Sequence, residues 1–196
     1  IIIGTIKSLM NNFIEYGRNL IFLISQPRAG STMLQRILGS HPEIYTTSEP
    51  WVMLNPLLVL KEDCIKADID TYNDRFQQLL YILKSVNSED PKSIYYEAVR
   101  NVYGSIYTQL RKKQNSKYFL DKTPRYYYII PELLYTFPQA KFIILLRNPL
   151  AVLSSMINSW AQGNPFWFSN SGRKHDLVSA PEMLVDGINL LGDLCY

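Results

Sequence analysis

The sequence predicts an α/β fold, a central parallel β-sheet flanked by helices. Two observations carry this. The short apolar runs "IFLIS" (21–25) and "KFIILL" (141–146) have the composition of strands buried on both faces. Between and after them, stretches of helical periodicity alternate with further short strands. Strands that alternate with helices pair in parallel through crossover connections. The 196 residues are 47% hydrophobic, enough for one domain (1–196) with a sizeable core.

Each element follows in chain order. Residues 5–17 read as a short helix leading into the first strand, 21–25. A helix runs from near Gly30 to about Gly39, with Met33, Leu34, Ile37 and Leu38 on one face, and "SHPE" ends it. "IYTT" (44–47) is a second short strand, and residues 51–60 and 70–86 are helical. Asp90-Pro91 interrupts the pattern, and Pro91 suits the first turn of a helix reaching about Lys113. Tyr95, Tyr96, Tyr103 and Tyr107 share one side of that helix, most simply a packing face. "KYFLD" (117–121) is the third strand. A helix then crosses Tyr126–Tyr135, whose three opening tyrosines cannot all point inward, so one or two are expected to line a pocket. "KFIILL" is the strongest strand and ends at Arg147. Asn148 caps the next helix, and Pro149 takes its first position. An aromatic loop (163–176), a candidate acceptor lid or a packed loop, precedes a last helix over 181–194. The chain starts without Met and stops inside that helical pattern, so a domain truncated at its C-terminus is expected.

The formal net charge of +3 suits a local anionic ligand and argues against wholesale nucleic-acid binding. Cys64 and Cys195 are too few for a disulfide framework and read as free thiols of a reducing compartment. With no N-x-[ST] sequon and no signal peptide, a cytoplasmic location is expected. No apolar run approaches the roughly 18 residues of a membrane span.

In open α/β sheets, ligands bind at the carboxyl ends of the strands. Three such ends are chemically loaded here. The first is "SQPRAGST" (25–32), which has the outline of a phosphate-binding P-loop. Its backbone amides and the start of the following helix make an anion site, to which Ser31 and Thr32 add hydroxyls and Arg28 a fixed charge. Where a nucleotidase carries its lysine, this loop holds Ser31. The second is Arg147, at a strand end where P-loop enzymes often place a magnesium-binding Asp. Arg there binds an anion without metal. Ser155, eight residues on, lies about two helical turns along and can clamp the same phosphate. The third is Lys122 in "DKTP", able to lean over the first loop and stabilise charge on a transferring group. Singly, each has a blander reading: a plain strand–helix joint, a surface ion pair, a solvated lysine. Together they suit a nucleotide with two separate phosphate groups and no metal.

With those residues in view, the chain resembles sulfotransferases that use 3′-phosphoadenosine 5′-phosphosulfate (PAPS). "SQPRAGSTML" is similar to the family's 5′-phosphosulfate loop, and "LLRNPLAVLSS" to its 3′-phosphate motif. "HPEIYTTSEP" and "DKTP" resemble the branch that contains tyrosylprotein and bacterial sulfotransferases. The resemblance spans about residues 20–160, and two motifs in the right order make it specific. It implies that Arg28, Ala29, Gly30, Ser31 and Thr32 bind the 5′-phosphosulfate, Ala29 mainly through its amide. Arg147 and Ser155 are implied for the 3′-phosphate. Glu49 is implied as the general base for an acceptor hydroxyl, with Lys122 and Arg28 stabilising the leaving oxygen in a metal-free in-line transfer. His41 is the rival base, since other members use a histidine, but it closes a helix in "GSHPE", where a turn role is simpler. His175 reads as solvated. The acceptor class stays open among protein tyrosine, sugar, lipid and polyketide-type alcohols. Trp51 stands where the tyrosylprotein branch carries a peptide-gripping Arg, which argues for a less acidic acceptor. The alternatives are an atypical P-loop kinase or NTPase and a non-catalytic nucleotide-binding fragment.

Overall fold

The computed structural model describes residues 16–60 and 69–160. The elements are β1 (Leu20–Ser25), α1 (Ser31–Gly39), β2 (Ile44–Thr46), α2 (Leu54–Leu58), α3 (Ile69–Val86) and α4 (Pro91–Lys113). After them come β3 (Tyr118–Lys122), a 3-10 turn (Tyr126–Ile129), α5 (Ile130–Thr136), β4 (Lys141–Leu145) and α6 (Pro149–Trp160). The expected helix at 5–17 falls almost wholly outside the described residues. The 163–176 loop and the 181–194 helix lie outside them too.

The four strands form a parallel sheet in the order β2-β3-β1-β4. β1 is central, with Phe22 opposite Asp121 of β3 on one side and Phe142 of β4 on the other. The chain first builds toward β2 and β3, then crosses back to place β4 beyond β1. The order therefore reverses at β1, which opens a crevice at the carboxyl ends of β1, β3 and β4.

Burial explains why these residues form a doubly covered sheet. All six residues of β1 are buried. Alternate side chains face opposite layers. Leu20, Phe22 and Ile24 join the larger core with Met53, Leu57, Val99, Tyr107, Phe119, Tyr126 and Phe137. Ile21 and Leu23 join Leu120 on the other face, with Leu34 and Leu38 of α1 packed against them. Phe22 anchors the first layer, with Tyr107, Tyr126, Phe137 and Phe142 rings at 5.5–6.3 Å.

Local signals set several boundaries. Asp90 caps α4 by accepting the Ser93 amide at 3.3 Å, Pro91 sits in the first turn, and Arg111, Lys112 and Lys113 complement the carboxyl end of the dipole. At α6 the Leu150 amide donates to Asn148 Oδ1 at 2.9 Å.

Four expectations are revised. The apolar face of α1 splits: Leu34 and Leu38 pack, while Met33 and Ile37 are 67% and 58% exposed. Ser31 and Gln35 are the buried residues of this helix instead. Helix 51–60 shrinks to α2, because Pro56 and the positive φ of Trp51 (56°) leave room for little more than a turn. β4, expected as the strongest strand, is an edge strand among the described residues, with a partly exposed pattern. The tyrosines 126–128 open as a 3-10 turn, and Tyr126 and Tyr127 are buried, while Tyr128 packs partly buried against the same core.

Candidate functional site

A cleft of about 510 Å³ opens at the carboxyl ends of the strands. Pro27, Arg28, Gly30, Ser31, Thr32, Glu49, Trp51, Pro124, Arg125, Arg147 and Ser155 line it. Four sequence-distant segments thus meet where the strand order reverses.

The β1–α1 loop forms the floor. Arg28 and Gly30 have φ of 66° and 99°. Gly30 is the N-cap of α1, and a Cβ there would meet nothing within 4 Å. Its requirement is therefore conformational: an L side chain is strained at that φ. α1 has no side-chain cap and no acidic residue in its first turn. Its leading amides and positive dipole end are thus available to an anion.

Lys122, at the end of β3, is the hinge of the site. It is 1% exposed, so the solvated reading fails. Its Nζ lies 2.6 Å from Glu49 Oε1 and 3.3 Å from Thr32 Oγ1. One buried ammonium joins the anion loop to the carboxylate. The Glu49 side chain keeps 36% exposure, so its carboxylate is both paired and open to the cleft. The approach to Glu49 is fixed from β2. Gln35 of α1 donates to Thr46 Oγ1 at 2.7 Å and to the Thr47 carbonyl at 2.5 Å, and Thr46 donates to the Leu120 carbonyl at 2.8 Å.

On the other wall, Arg147 donates to the Arg28 carbonyl at 2.8 Å. The Arg28 guanidinium reaches α6, donating to Ser155 Oγ at 3.2 Å and Ser159 Oγ at 2.7 Å. Arg28, expected at the α1 terminus, is thus tied to the Arg147–Ser155 side. Ala29 sits within the loop's turn. Its amide donates to the Gln26 carbonyl at 3.2 Å, and its side chain packs with Val152 and Met156. That amide closes the loop's own turn.

His41 lies apart from the cleft residues, exposed, with Nδ1 accepting the Glu43 amide at 3.2 Å. This is a turn-closing role. The tyrosines at 126–128 do not line the cleft either. The sequence reading missed Arg125 as a lining residue and Ser159 as a partner of Arg28. Ser159 was findable: it stands four residues after Ser155, hence on the same helix face. The Arg125 guanidinium over the Trp51 ring, at 5.7 Å, had no local signal.

The cleft gathers anion donors: helix amides and hydroxyls at the α1 start, and the guanidiniums of Arg28 and Arg147 with the Ser155 hydroxyl. Among the described residues, no group of three or more His, Cys, Asp or Glu side chains is gathered to hold a metal ion. Nor is any described helix long and apolar enough to cross a membrane.

Comparison with known proteins matches residues 20–183 to a family model described as "Sulfotransferase family". Nodulation protein NoeE of Sinorhizobium fredii is 30% identical over 148 residues, covering 75% of this chain and 32% of that protein. A Caenorhabditis briggsae protein provisionally named protein-tyrosine sulfotransferase is 24% identical over 149 residues, 76% of this chain and 45% of its own. The chain thus spans a third to under half of these relatives. Among solved structures, the sulfotransferase domain from the Synechococcus PCC 7002 olefin synthase matches with a TM-score of 0.47 and 22% identity, over 92% of this chain and 62% of that one.

Proposed function

The chain belongs to the sulfotransferase family, and from that premise we propose that it carries the donor-binding and proton-accepting parts of a PAPS-dependent sulfotransferase domain. PAPS, when bound, supplies an activated sulfuryl group. The α1 amides with Gly30, Ser31 and Thr32 would hold its 5′ end. Arg147 and Ser155, with Arg28 and Ser159, would hold its 3′-phosphate.

Glu49 acts as the base. Its carboxylate takes the proton of an acceptor hydroxyl as that oxygen bonds to sulfur and the bond from sulfur to the phosphate oxygen breaks. The products are a sulfate ester and 3′-phosphoadenosine 5′-phosphate (PAP). Lys122 meets the negative charge that grows on the leaving oxygen, and a preformed buried cation does so with little reorganisation. One observation carries this reading: the Lys122 ammonium is shared between Glu49 and Thr32. Proton acceptor and donor-loop hydroxyl are thereby within one side chain of each other. The acceptor is a hydroxyl compound. The exposed indole of Trp51 on the acceptor wall favours one that is not strongly acidic. The sparse cysteines, Cys64 and Cys195, favour a cytoplasmic setting.

The test is transfer of labelled sulfate from PAPS to a panel of phenol, sugar and aliphatic alcohols. Glu49→Gln should lower kcat by roughly 10²–10⁴-fold, the range for loss of general-base help, with PAP affinity unchanged. Lys122→Met should lower it by about 10²–10³-fold. Undiminished transfer by Glu49→Gln would remove Glu49 from the mechanism.

A further inference from the structure

Asp121 takes no part in the transfer just described, yet it is the most heavily bonded buried carboxylate among the described residues. It is 1% exposed. Oδ2 accepts from the Tyr107 hydroxyl at 2.5 Å and from the Tyr126 hydroxyl at 2.9 Å, and Oδ1 accepts from Thr123 Oγ1 at 3.3 Å. Two of these hydroxyls are themselves acceptors. Tyr126 receives the Met53 amide at 3.1 Å, and Thr123 receives the Trp51 amide at 3.2 Å.

A hydroxyl has one proton and two lone pairs, and an ionised carboxylate only accepts. The charge on Asp121 therefore sets the direction of its own three bonds, each hydroxyl donating to it. It draws each hydroxyl proton inward and turns the lone pairs of Thr123 and Tyr126 toward the amides. Those amides belong to the segment directly after Glu49. Trp51 holds a φ of 56° there, a conformation that bulky residues keep only when their surroundings over-determine it. Asp121 also directly precedes Lys122 on β3.

We infer that Asp121 is a positioning residue, whose ionised carboxylate, through the Thr123 and Tyr126 hydroxyls, holds segment 51–53 and so aims Glu49 at Lys122. The inference rests on the roles proposed above for Glu49 and Lys122. It also makes the segment sensitive to pH. Burial pushes the Asp121 acid up to about 6, against the opposing pull of the Tyr107, Tyr126 and Thr123 hydrogen bonds and the Lys122 charge. These groups face it from α4, from the 3-10 turn and from its own strand and its exit. A proton on Asp121 turns one acceptor into a donor and leaves one hydroxyl proton without a partner, loosening the grip on Trp51 or Met53.

The experiment uses the full chain with Trp160 and Trp167 replaced by Phe, which leaves Trp51 as the one indole of the three. Its emission is followed from pH 5 to 8. A single transition near pH 6 is expected. Glu49→Gln should keep that transition, Asp121→Asn should abolish it, and Tyr107→Phe should move its midpoint upward by removing a donor that does not touch segment 51–53. If Asp121→Asn fails to fold, Thr123→Val decides: it should blunt the transition, and Thr123→Ser should restore it. A transition that survives loss of the Asp121 carboxylate or the Thr123 hydroxyl, disappears in Glu49→Gln, or is absent from the parent overturns the inference. In sulfate release from PAPS to water, Asp121→Asn should lower kcat by roughly 10–100-fold with KM for PAPS unchanged, the scale of a small misplacement of a catalytic group. An unchanged kcat overturns the aiming of Glu49. PAP binding, measured alongside, separates the two readings: a parent that titrates but binds no PAP loses the sulfotransferase reading and keeps the network.

Discussion

At the residue scale, the chemistry turns on which titratable side chain stands in the cleft. Glu49 does, paired with a lysine that the fold has taken out of water. His41 does not: it is exposed, and its ring closes a turn at the end of α1. Removing that ring touches one exposed hydrogen bond. His41→Ala should therefore change stability by no more than about 0.5 kcal/mol, the usual span for surface sites. It should also leave sulfate transfer near the parent rate. A large loss of kcat in that variant would reinstate the histidine as base. The placement of Lys122 over the first loop was legible in "DKTP", and its 3.3 Å contact with Thr32 is that placement. Its burial was not legible, since a lone lysine is solvated more often than not. Asp121 was silent. Its partners Tyr107 and Tyr126 lie on separate elements, and only the folded chain brings their hydroxyls to one carboxylate.

At the scale of elements, the anion site is a property of the β1–α1 junction. An uncapped helix start, two positive φ values and a buried strand leading in are all local features. This explains why the loop was legible in the sequence. The apolar run fixed the strand, and Gly30 with Ser31 and Thr32 marked the helix start. Strand and helix boundaries elsewhere followed for the same reason, as Asp90-Pro91 and Asn148-Pro149 show. What was not legible depends on tertiary choice: which side of α1 is buried, how far α2 extends past a residue with positive φ, and where the Arg28 guanidinium goes. Gly30→Ala follows from the φ of 99°. Space for the methyl is free, so the cost is backbone strain alone, about 1–2 kcal/mol. Denaturant unfolding should show that loss, and relaxation of the loop should weaken PAP binding with it. Parent-like stability and affinity would mean that the loop tolerates another backbone.

At the scale of the whole molecule, the parallel sheet brings the β1–α1 loop, Glu49 and the Arg147–Ser155 side together by reversing its order at β1. A carboxylate in the middle of that assembly carries a consequence for stability. The Asp121 acid is pushed up from 3.8 to about 6, chiefly by burial. The folded chain thus holds this proton more tightly than the unfolded chain. The stability it contributes is fully present below about pH 4, is lost as pH rises toward 6, and is flat above. The loss is on the order of 3 kcal/mol at 1.36 kcal/mol per pH unit of displacement. Against Asp121→Asn, the parent should lose ground between pH 4 and pH 7 in denaturant unfolding. A stability difference between the two that is constant over that range would contradict a raised acid.

The central claim is that the cleft reads a nucleotide with a second phosphate on its 3′ side. Calorimetry of PAP and of 5′-AMP, with chelator present, on the parent and on Arg147→Ala, tests it most directly. The parent should bind PAP at least about tenfold more tightly than AMP, the minimum expected from a charge-assisted pair worth roughly 1.5 kcal/mol or more. Arg147→Ala should erase most of that preference and leave AMP binding little changed. Equal affinity for the two nucleotides, or binding only of ATP with magnesium, would contradict the account.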